Sequence, residues 1–237
     1  KPHPSLIASI TSALAFVIAS SLPAAAALKP VALRCEYRVN PLGIDEAQPR
    51  LTWRVESTGR GAMQTACRVV VTSDDTTLWD SGKVESAQTV NIVYAGKPLI
   101  SRQRCDWKVC VWDANSRAVW SKPAFWTMGL LQPADWQASY ISFRDTTPVH
   151  KDTTNIFLPP ARQYRKEFNT ARPVKRATIY GTALGIYELH LNGRRVGDAR
   201  FAPGWTDYHQ RAYYQTYDVT PLLCGSASSP DMPKGAE

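Results

Sequence analysis

Between Ile186 and Tyr217 the chain reads IYELHLNGRRVGDARFAPGWTDYHQRAYYQTY. Tyr187, Leu189 and Leu191 alternate with Glu188 and His190, the two-residue period of a strand with one face buried. Asn192-Gly193 follows at once, and both residues accept the positive φ angles of a tight hairpin turn. Arg194-Arg195-Val196 then reads as the returning strand and Gly197-Asp198 as its end. Ala202-Pro203-Gly204 is a second turn signal. Tyr213, Gln215 and Tyr217 alternate again before Asp218-Val219-Thr220-Pro221. The pattern is that of antiparallel β structure.

Upstream, the same grammar repeats in shorter units. From Pro30 to Gly129, strand-like runs appear at Leu51–Val55, Cys67–Val71, Thr77–Asp80, Thr89–Tyr94, Cys105–Trp112 and Ala124–Met128. Thr58-Gly59, Ser73-Asp74-Asp75, Ser81-Gly82, Ala95-Gly96 and Asp113-Ala114-Asn115 separate them. About seven short strands in roughly one hundred residues, with turn signals at regular intervals, predict an immunoglobulin-like or fibronectin type III-like sandwich over 30–130. Trp107, Val109 and Val111 form the apolar face of one strand, with Lys108 facing out. Trp53, Trp107 and Trp120 offer flat surfaces on which a sugar could stack, but in such sandwiches indoles more commonly pack the core or an edge.

Residues 131–160 are expected to connect this domain to the next. Asp135–Ile141 reads as one strand within the connector, and Asp145–Pro160 as a polar, proline-bearing loop. A second domain begins near Tyr164–Phe168, continues through a strand at Val174–Tyr180 and reaches the Asn192-Gly193 hairpin. From Cys224 to Glu237 the chain is made of turn formers. The expected fold class is therefore all-β: a complete sandwich, then a further, incomplete β-sandwich over 161–237.

Composition agrees with this. The 237 residues suit one or two domains, 44% are hydrophobic, and eight Trp and ten Tyr favour strands. The net charge of +8 admits an anionic partner, such as an acidic polysaccharide or nucleic acid. A solvated basic surface is the simpler account, because the arginines are scattered along β segments and no nucleic-acid motif accompanies them. Residues 1–28 pair a basic start with an apolar run from Leu6 to Ala19 and small residues at Ala24–Ala27. These are the marks of a secretory signal, so a secreted or periplasmic location is expected; an uncleaved membrane anchor is the alternative. Export would permit disulfides among Cys35, Cys67, Cys105, Cys110 and Cys224. Buried single thiols are favoured, since the count is odd and no pairing can be read from spacing. No metal is expected, because no Cys-x-x-Cys occurs and His3, His150, His190 and His209 are dispersed. No cofactor is expected either, because phosphate-cradling glycine loops and serine nucleophile motifs are missing.

An ordered set of motifs resembles the opening of bacterial α-L-rhamnosidases. It begins with Asn40-Pro41-Leu42-Gly43-Ile44-Asp45 and Pro49-Arg50-Leu51-Thr52-Trp53. It continues through Leu78–Val84, Tyr94-Ala95-Gly96-Lys97-Pro98-Leu99 and Trp107–Asp113. Tyr187-Glu188-Leu189, Leu191-Asn192-Gly193 and Ala202-Pro203-Gly204-Trp205-Thr206-Asp207-Tyr208 resemble the next domain of the same enzymes. The resemblance covers about residues 33–223 and implies that the second sandwich, over 161–237, is the incomplete start of a jelly-roll-like domain. It implies a multidomain secreted glycoside hydrolase that removes terminal α-L-rhamnose from rhamnose-containing glycans or glycosides. In that family a helical barrel carries the acid and base of an inverting mechanism, with two carboxyls roughly 6.5–9.5 Å apart. The resemblance places those carboxyls beyond this chain, so no residue here inherits a catalytic role and the barrel is an expected partner. After Leu223 the family would continue with sandwich strands where this chain has a Ser/Pro/Gly tail; a truncated or frameshifted reading frame fits that departure.

Trp205, Asp207 and Tyr208 are the candidate sugar contacts. An indole face covers the C–H side of a pyranose, and a carboxylate accepts from its hydroxyls. The competing account, which turn chemistry favours, has Trp205 and Tyr208 packing the loop while Asp207 caps the turn at Pro203-Gly204. Glu188 and Asp198 flank the hairpin as solvated strand positions rather than as a catalytic pair. The sequence thus points to the non-catalytic N-terminal part of a rhamnosidase, with a stand-alone carbohydrate-binding or adhesion module as the alternative. Without further strands the second sandwich would leave an open sheet edge.

Overall fold

In chain order the first domain contains β1 (Lys29–Cys35), β2 (Arg50–Glu56), β3 (Ala66–Ser73), β4 (Thr76–Asp80) and β5 (Val84–Glu85). They are followed by β6 (Ile92–Val93), β7 (Arg104–Trp112), β8 (Ala118–Trp120) and β9 (Ala124–Thr127). The computed structural model describes residues 28–143 and 161–223. One sheet runs β1-β2-β6. The other runs β4-β3-β7-β8, with β5 also pairing β3 and β9 also pairing β7. All these pairs are antiparallel. The β3–β4 hairpin closes through Asp74 and Asp75, both at positive φ (42° and 65°), the twist that a two-residue hairpin requires.

The core lies between the sheets because inward positions alternate. In β7, Cys105, Trp107, Val109 and Val111 are buried while Lys108 is exposed, as the period of two predicts. Trp53 and Trp107 lie in this core at 1% and 2% exposure, whereas Trp120 keeps 42% of its surface. The Trp53 indole N–H donates to Gln64 Oε1 at 3.0 Å. Gln64 in turn donates to the carbonyls of Ser86 and Gln88 at 2.9 and 3.1 Å. A buried amide thereby ties β2 to the β5–β6 loop with its polar groups satisfied. Gly96 belongs to the same core wall: a Cβ there would lie 2.5 Å from both Trp79 Cβ and the Tyr94 hydroxyl.

Four cysteines, Cys35, Cys67, Cys105 and Cys110, are buried free thiols, and Cys224 lies outside the described residues. Burial pushes the Cys35 and Cys105 thiols up to about 12, and it raises Cys67 and Cys110 as well. Only the thiolate is nucleophilic. In the folded chain at pH 8 these four thiols are therefore expected to resist a disulfide reagent or iodoacetamide and to react once guanidinium unfolds the domain. Mass spectrometry of the labelled peptides checks this; rapid native labelling of Cys35 or Cys105 would contradict their burial.

The structure departs from the sequence pattern in identifiable places. β1, β5 and β8 were not anticipated; β5 and β8 are too short for alternation to register. The run Thr89–Tyr94 contracts to β6 because Asn91 sits at φ 56°, although the Thr89 carbonyl still accepts from Trp53 N–H at 2.9 Å. Asp135–Ile141 is not a strand. Pro133–Asp135 forms a 3-10 turn held by the Asp135 carboxylate, which accepts from Ser101 Oγ and from Gln132 N–H. Residues 136–143 have no strand partner, and without a ladder an alternating sequence does not become a strand. The expected signal segment falls outside the described residues apart from Leu28, as do the whole expected loop at 145–160 and the tail from 224.

The second unit holds β10 (Thr178–Thr182), β11 (His190–Leu191), β12 (Arg194–Arg195), β13 (Tyr214–Asp218) and a single helical turn, α1 (Thr220–Leu223). β10 pairs β13, and β11 pairs β12. Asn192 and Gly193 turn the hairpin at φ 51° and 73°. The expected strand at Val174–Tyr180 forms only from Thr178. Val196, Ala202 and Val219 are its buried apolar residues among those described, with Tyr187 OH donating to the Gly181 carbonyl at 3.1 Å. Leu184, Ile186 and Phe201 are 58%, 70% and 76% exposed. This is the start of a sandwich whose apolar side lacks a facing sheet among the described residues.

The two units meet at a seam made by glycines. Residues 41–44 run beside β9: Ile44 N–H donates to the Thr127 carbonyl at 2.8 Å, and Gly129 N–H to the Ile44 carbonyl at 2.7 Å. Tyr214 of β13 enters here, its hydroxyl accepting from Leu130 N–H at 2.9 Å. A Cβ on Gly129 would collide with that hydroxyl, and a Cβ on Gly43 with Thr216 Oγ1. Tyr214 also packs against Trp136 and Tyr180, each with ring centroids 6.0 Å away.

Candidate functional site

Phe201, Ala202, Pro203 and Gly204 form a tight turn, closed by Gly204 N–H donating to the Phe201 carbonyl at 3.1 Å. The turn is anchored from both sides. Tyr187 N–H donates to the Ala202 carbonyl at 3.0 Å, and Gln215 Nε2 donates to the Pro203 carbonyl at 3.0 Å. Ala202 and Pro203 are buried, so the residues on either side are pushed outward. Trp205 is 88% exposed. It does not pack the loop, contrary to the account that turn chemistry favoured.

Asp207 does act as a capping residue, but of its own turn. Its carboxylate accepts from His209 N–H at 3.0 Å and from Gln210 Nε2 at 2.9 Å, while its carbonyl accepts from Gln210 and Arg211 N–H. The turn at Pro203-Gly204 is closed by backbone instead. Tyr208 is half-buried in the same loop. The structure thus keeps Trp205, Asp207 and Tyr208 on one short loop. Trp205 is free for contact, and the Asp207 carboxylate is oriented by its two local donors.

A second feature is the broad concave face beside β10 and the hairpin, lined among others by Trp136, Tyr164, Phe168, Ile186 and Glu188. Its volume, about 2150 Å³, exceeds the few hundred to about 1,000 Å³ of a small-ligand pocket. It is an uncovered sheet face rather than a monosaccharide site. Glu188 sits on it with Oε1 2.7 Å from His190 Nε2 and Oε2 2.9 Å from Arg195 Nε. The hydrogen bond with His190, reinforced by the Arg195 charge, holds the Glu188 carboxyl below the usual range. Both carboxylate oxygens of Glu188 are thus engaged by basic neighbours. Glu36, Asp80 and Asp135 shift downward as well. No group of three or more potential metal ligands gathers among the described residues.

Sequence reasoning missed the Trp53–Gln64 network and the role of Tyr214. The juxtaposition of Gly43 with Gly129 carried no local signal, since both lie outside the strands.

Residues 30–132 match the family model described as the Rha78A-like N-terminal immunoglobulin domain, and residues 172–228 match the α-L-rhamnosidase N-terminal domain. An α-L-rhamnosidase of Alteromonas sp. (strain LOR) is 37% identical over 206 residues, covering 82% of this chain and 22% of the relative. One of Formosa agariphila is 35% identical over 191 residues, covering 78% and 21%. Among solved structures, the α-L-rhamnosidase from Dictyoglumus thermophilum superposes with a TM-score of 0.70 at 30% identity, covering 82% of this chain and 24% of that one. The Streptomyces avermitilis α-L-rhamnosidase complexed with L-rhamnose gives 0.66 at 25% identity, covering 83% and 35%. The chain therefore spans about a fifth of the length of the curated relatives it matches.

Proposed function

We propose, from the premise that this chain carries the N-terminal domains of the α-L-rhamnosidase family, that it is the non-catalytic opening of an exported enzyme acting on terminal α-L-rhamnosides. The observation that carries this is the uncovered apolar side of the second unit, where Leu184, Ile186 and Phe201 face solvent. Apolar patches of this kind mark surfaces that other protein covers, here the rest of the sandwich and the catalytic barrel. The immunoglobulin-like domain is the rigid footing, and the Gly43–Gly129 seam fixes the second unit on it. Residues 1–27 serve as the export signal, removed in the mature protein; Leu28, 2% exposed, stays in the core of the first domain.

The test is direct. The full-length gene product is expected to hydrolyse an aryl α-L-rhamnoside with inversion, followed by NMR of the anomeric proton, while this chain alone is inactive. Hydrolysis by this chain alone, or none by the full-length product, would overturn the proposal. Within the full-length enzyme, Trp205→Ala is expected to raise KM roughly tenfold, the loss of about 1–1.5 kcal/mol of ring stacking, with kcat unchanged, since uniform binding alone is removed. An unaltered KM would remove Trp205 from the sugar contacts.

The 88% exposure of Trp205 also favours a second reading, a stand-alone carbohydrate-binding or adhesion module. Calorimetric titration of this chain with L-rhamnosides separates the two: saturable heat that Trp205→Ala abolishes supports the module.

A further inference from the structure

The outer face of the first domain carries two tryptophans that the core does not use. β7 and β8 pair with Cys110 opposite Trp120 and Trp112 opposite Ala118. Trp112 and Trp120 therefore stand on the same face as diagonal neighbours, a separation of roughly 7–8 Å along such a ladder. Each indole has an ammonium over its ring. Lys108 Nζ is 4.6 Å from the Trp120 ring centroid, and Lys83 Nζ is 5.5 Å from that of Trp112. Trp120 is 42% exposed, and Cys110, buried at 1%, lies on the same face between the two indoles in the register. Arg68 lies opposite Cys110 on β3, bonded to Asp80. Lys83 also meets Glu85 at 2.6 Å.

An edge packing role accounts for one indole on a sheet, but not for two in diagonal register, each with a cation within contact range. A flat indole meets the C–H side of a pyranose. An ammonium within about 6 Å of the same ring stands where a negative substituent on that sugar would lie. Lys83 is shared with Glu85, so Lys108 beside the exposed Trp120 is the principal cation for such a substituent. The net charge of +8 provides the complementary long-range attraction. We propose that the outer face of β7 and β8, with Trp112 and Trp120 flanked by Lys83 and Lys108, is a binding platform for an anionic polysaccharide, its pyranose rings bearing carboxylate or sulfate groups. The platform belongs to the first domain, separate from the Trp205 loop, and does not depend on the proposed enzyme activity.

Titration of the whole chain with polygalacturonate, dextran sulfate and neutral dextran, followed by tryptophan fluorescence and affinity electrophoresis, tests it. Saturable binding to one or both polyanions is expected, with neutral dextran at least tenfold weaker. A preference between the two separates carboxylate from sulfate recognition. Trp120→Ala and Lys108→Met are each expected to weaken binding tenfold or more. Lys108→Met keeps the aliphatic stem over the indole, so it decides the matter even if Trp120→Ala melts early. No binding to either polyanion, equal binding of neutral dextran, or polyanion binding indifferent to both variants would overturn the proposal. So would duplex DNA bound as tightly and equally indifferent to Trp120→Ala, since that is the behaviour of a simple polycation.

Discussion

Trp53→Ala is expected to lower the stability of the immunoglobulin-like domain by about 3–5 kcal/mol, the cost of emptying a large aromatic from a packed core. Trp53 is 1% exposed. Its indole N–H also satisfies Gln64 Oε1, so truncation leaves a buried acceptor unpaired, at about 1–3 kcal/mol within that loss. Against a typical domain stability of about 5–15 kcal/mol this is severe. Trp53→Phe separates the parts: it refills much of the space but not the hydrogen bond, so it is expected to fall between the two. Urea denaturation followed by circular dichroism measures both. A loss under about 1 kcal/mol for the alanine variant would be incompatible with a core position for Trp53.

Gly129→Ala is expected to uncouple the second unit from the first while sparing the first. The new Cβ collides with the Tyr214 hydroxyl and lies 3.2 Å from the Gly43 carbonyl oxygen. Tyr214 must withdraw, and Leu130 N–H then loses its acceptor. Overpacking of this sort costs about 1–3 kcal/mol. Limited proteolysis is the readout: residues 161–223 are expected to be cleaved well before 30–130, faster than in the parent chain. Tyr214→Phe removes only the hydroxyl, at about 0.5–1.5 kcal/mol, and makes room for the Cβ. The double variant should therefore be less impaired than the sum of the singles. Additive effects, or unchanged proteolysis of Gly129→Ala, would mean that Tyr214 does not fix the seam.

The legible part of the fold was the part governed by local chemistry. The alternation in Cys105–Trp112 gave β7 almost to the residue, because a sheet buried on one side imposes a period of two. Asn192-Gly193 gave its hairpin because few residue pairs tolerate two successive positive φ angles. Asp135–Ile141 failed for the complementary reason. It alternates, but no strand lies beside it, and Ser101 draws Asp135 into a turn instead. On the candidate loop, Tyr208 packs in part and Asp207 caps a turn, but Trp205 departs from the packing that turn chemistry favours. Trp205 points to solvent although a loop tryptophan usually packs, because buried Ala202 and Pro203 fill the space beneath the turn.

By itself the sequence determined the all-β class, the order of most strands, the inward face of Trp107, Val109 and Val111, and the resemblance to α-L-rhamnosidases. Each of these depends on residues within one strand, one turn or one ordered set of motifs. Only the tertiary structure decided that Gly43 and Gly129 meet Tyr214 and Thr216, that Trp112 and Trp120 lie beside two lysines, and that Glu188 contacts His190 and Arg195. Those facts arise from strand register and from contacts between residues as many as 173 positions apart, from Gly43 to Thr216. No local pattern encodes such contacts, because the chain meets itself there only after both units have folded.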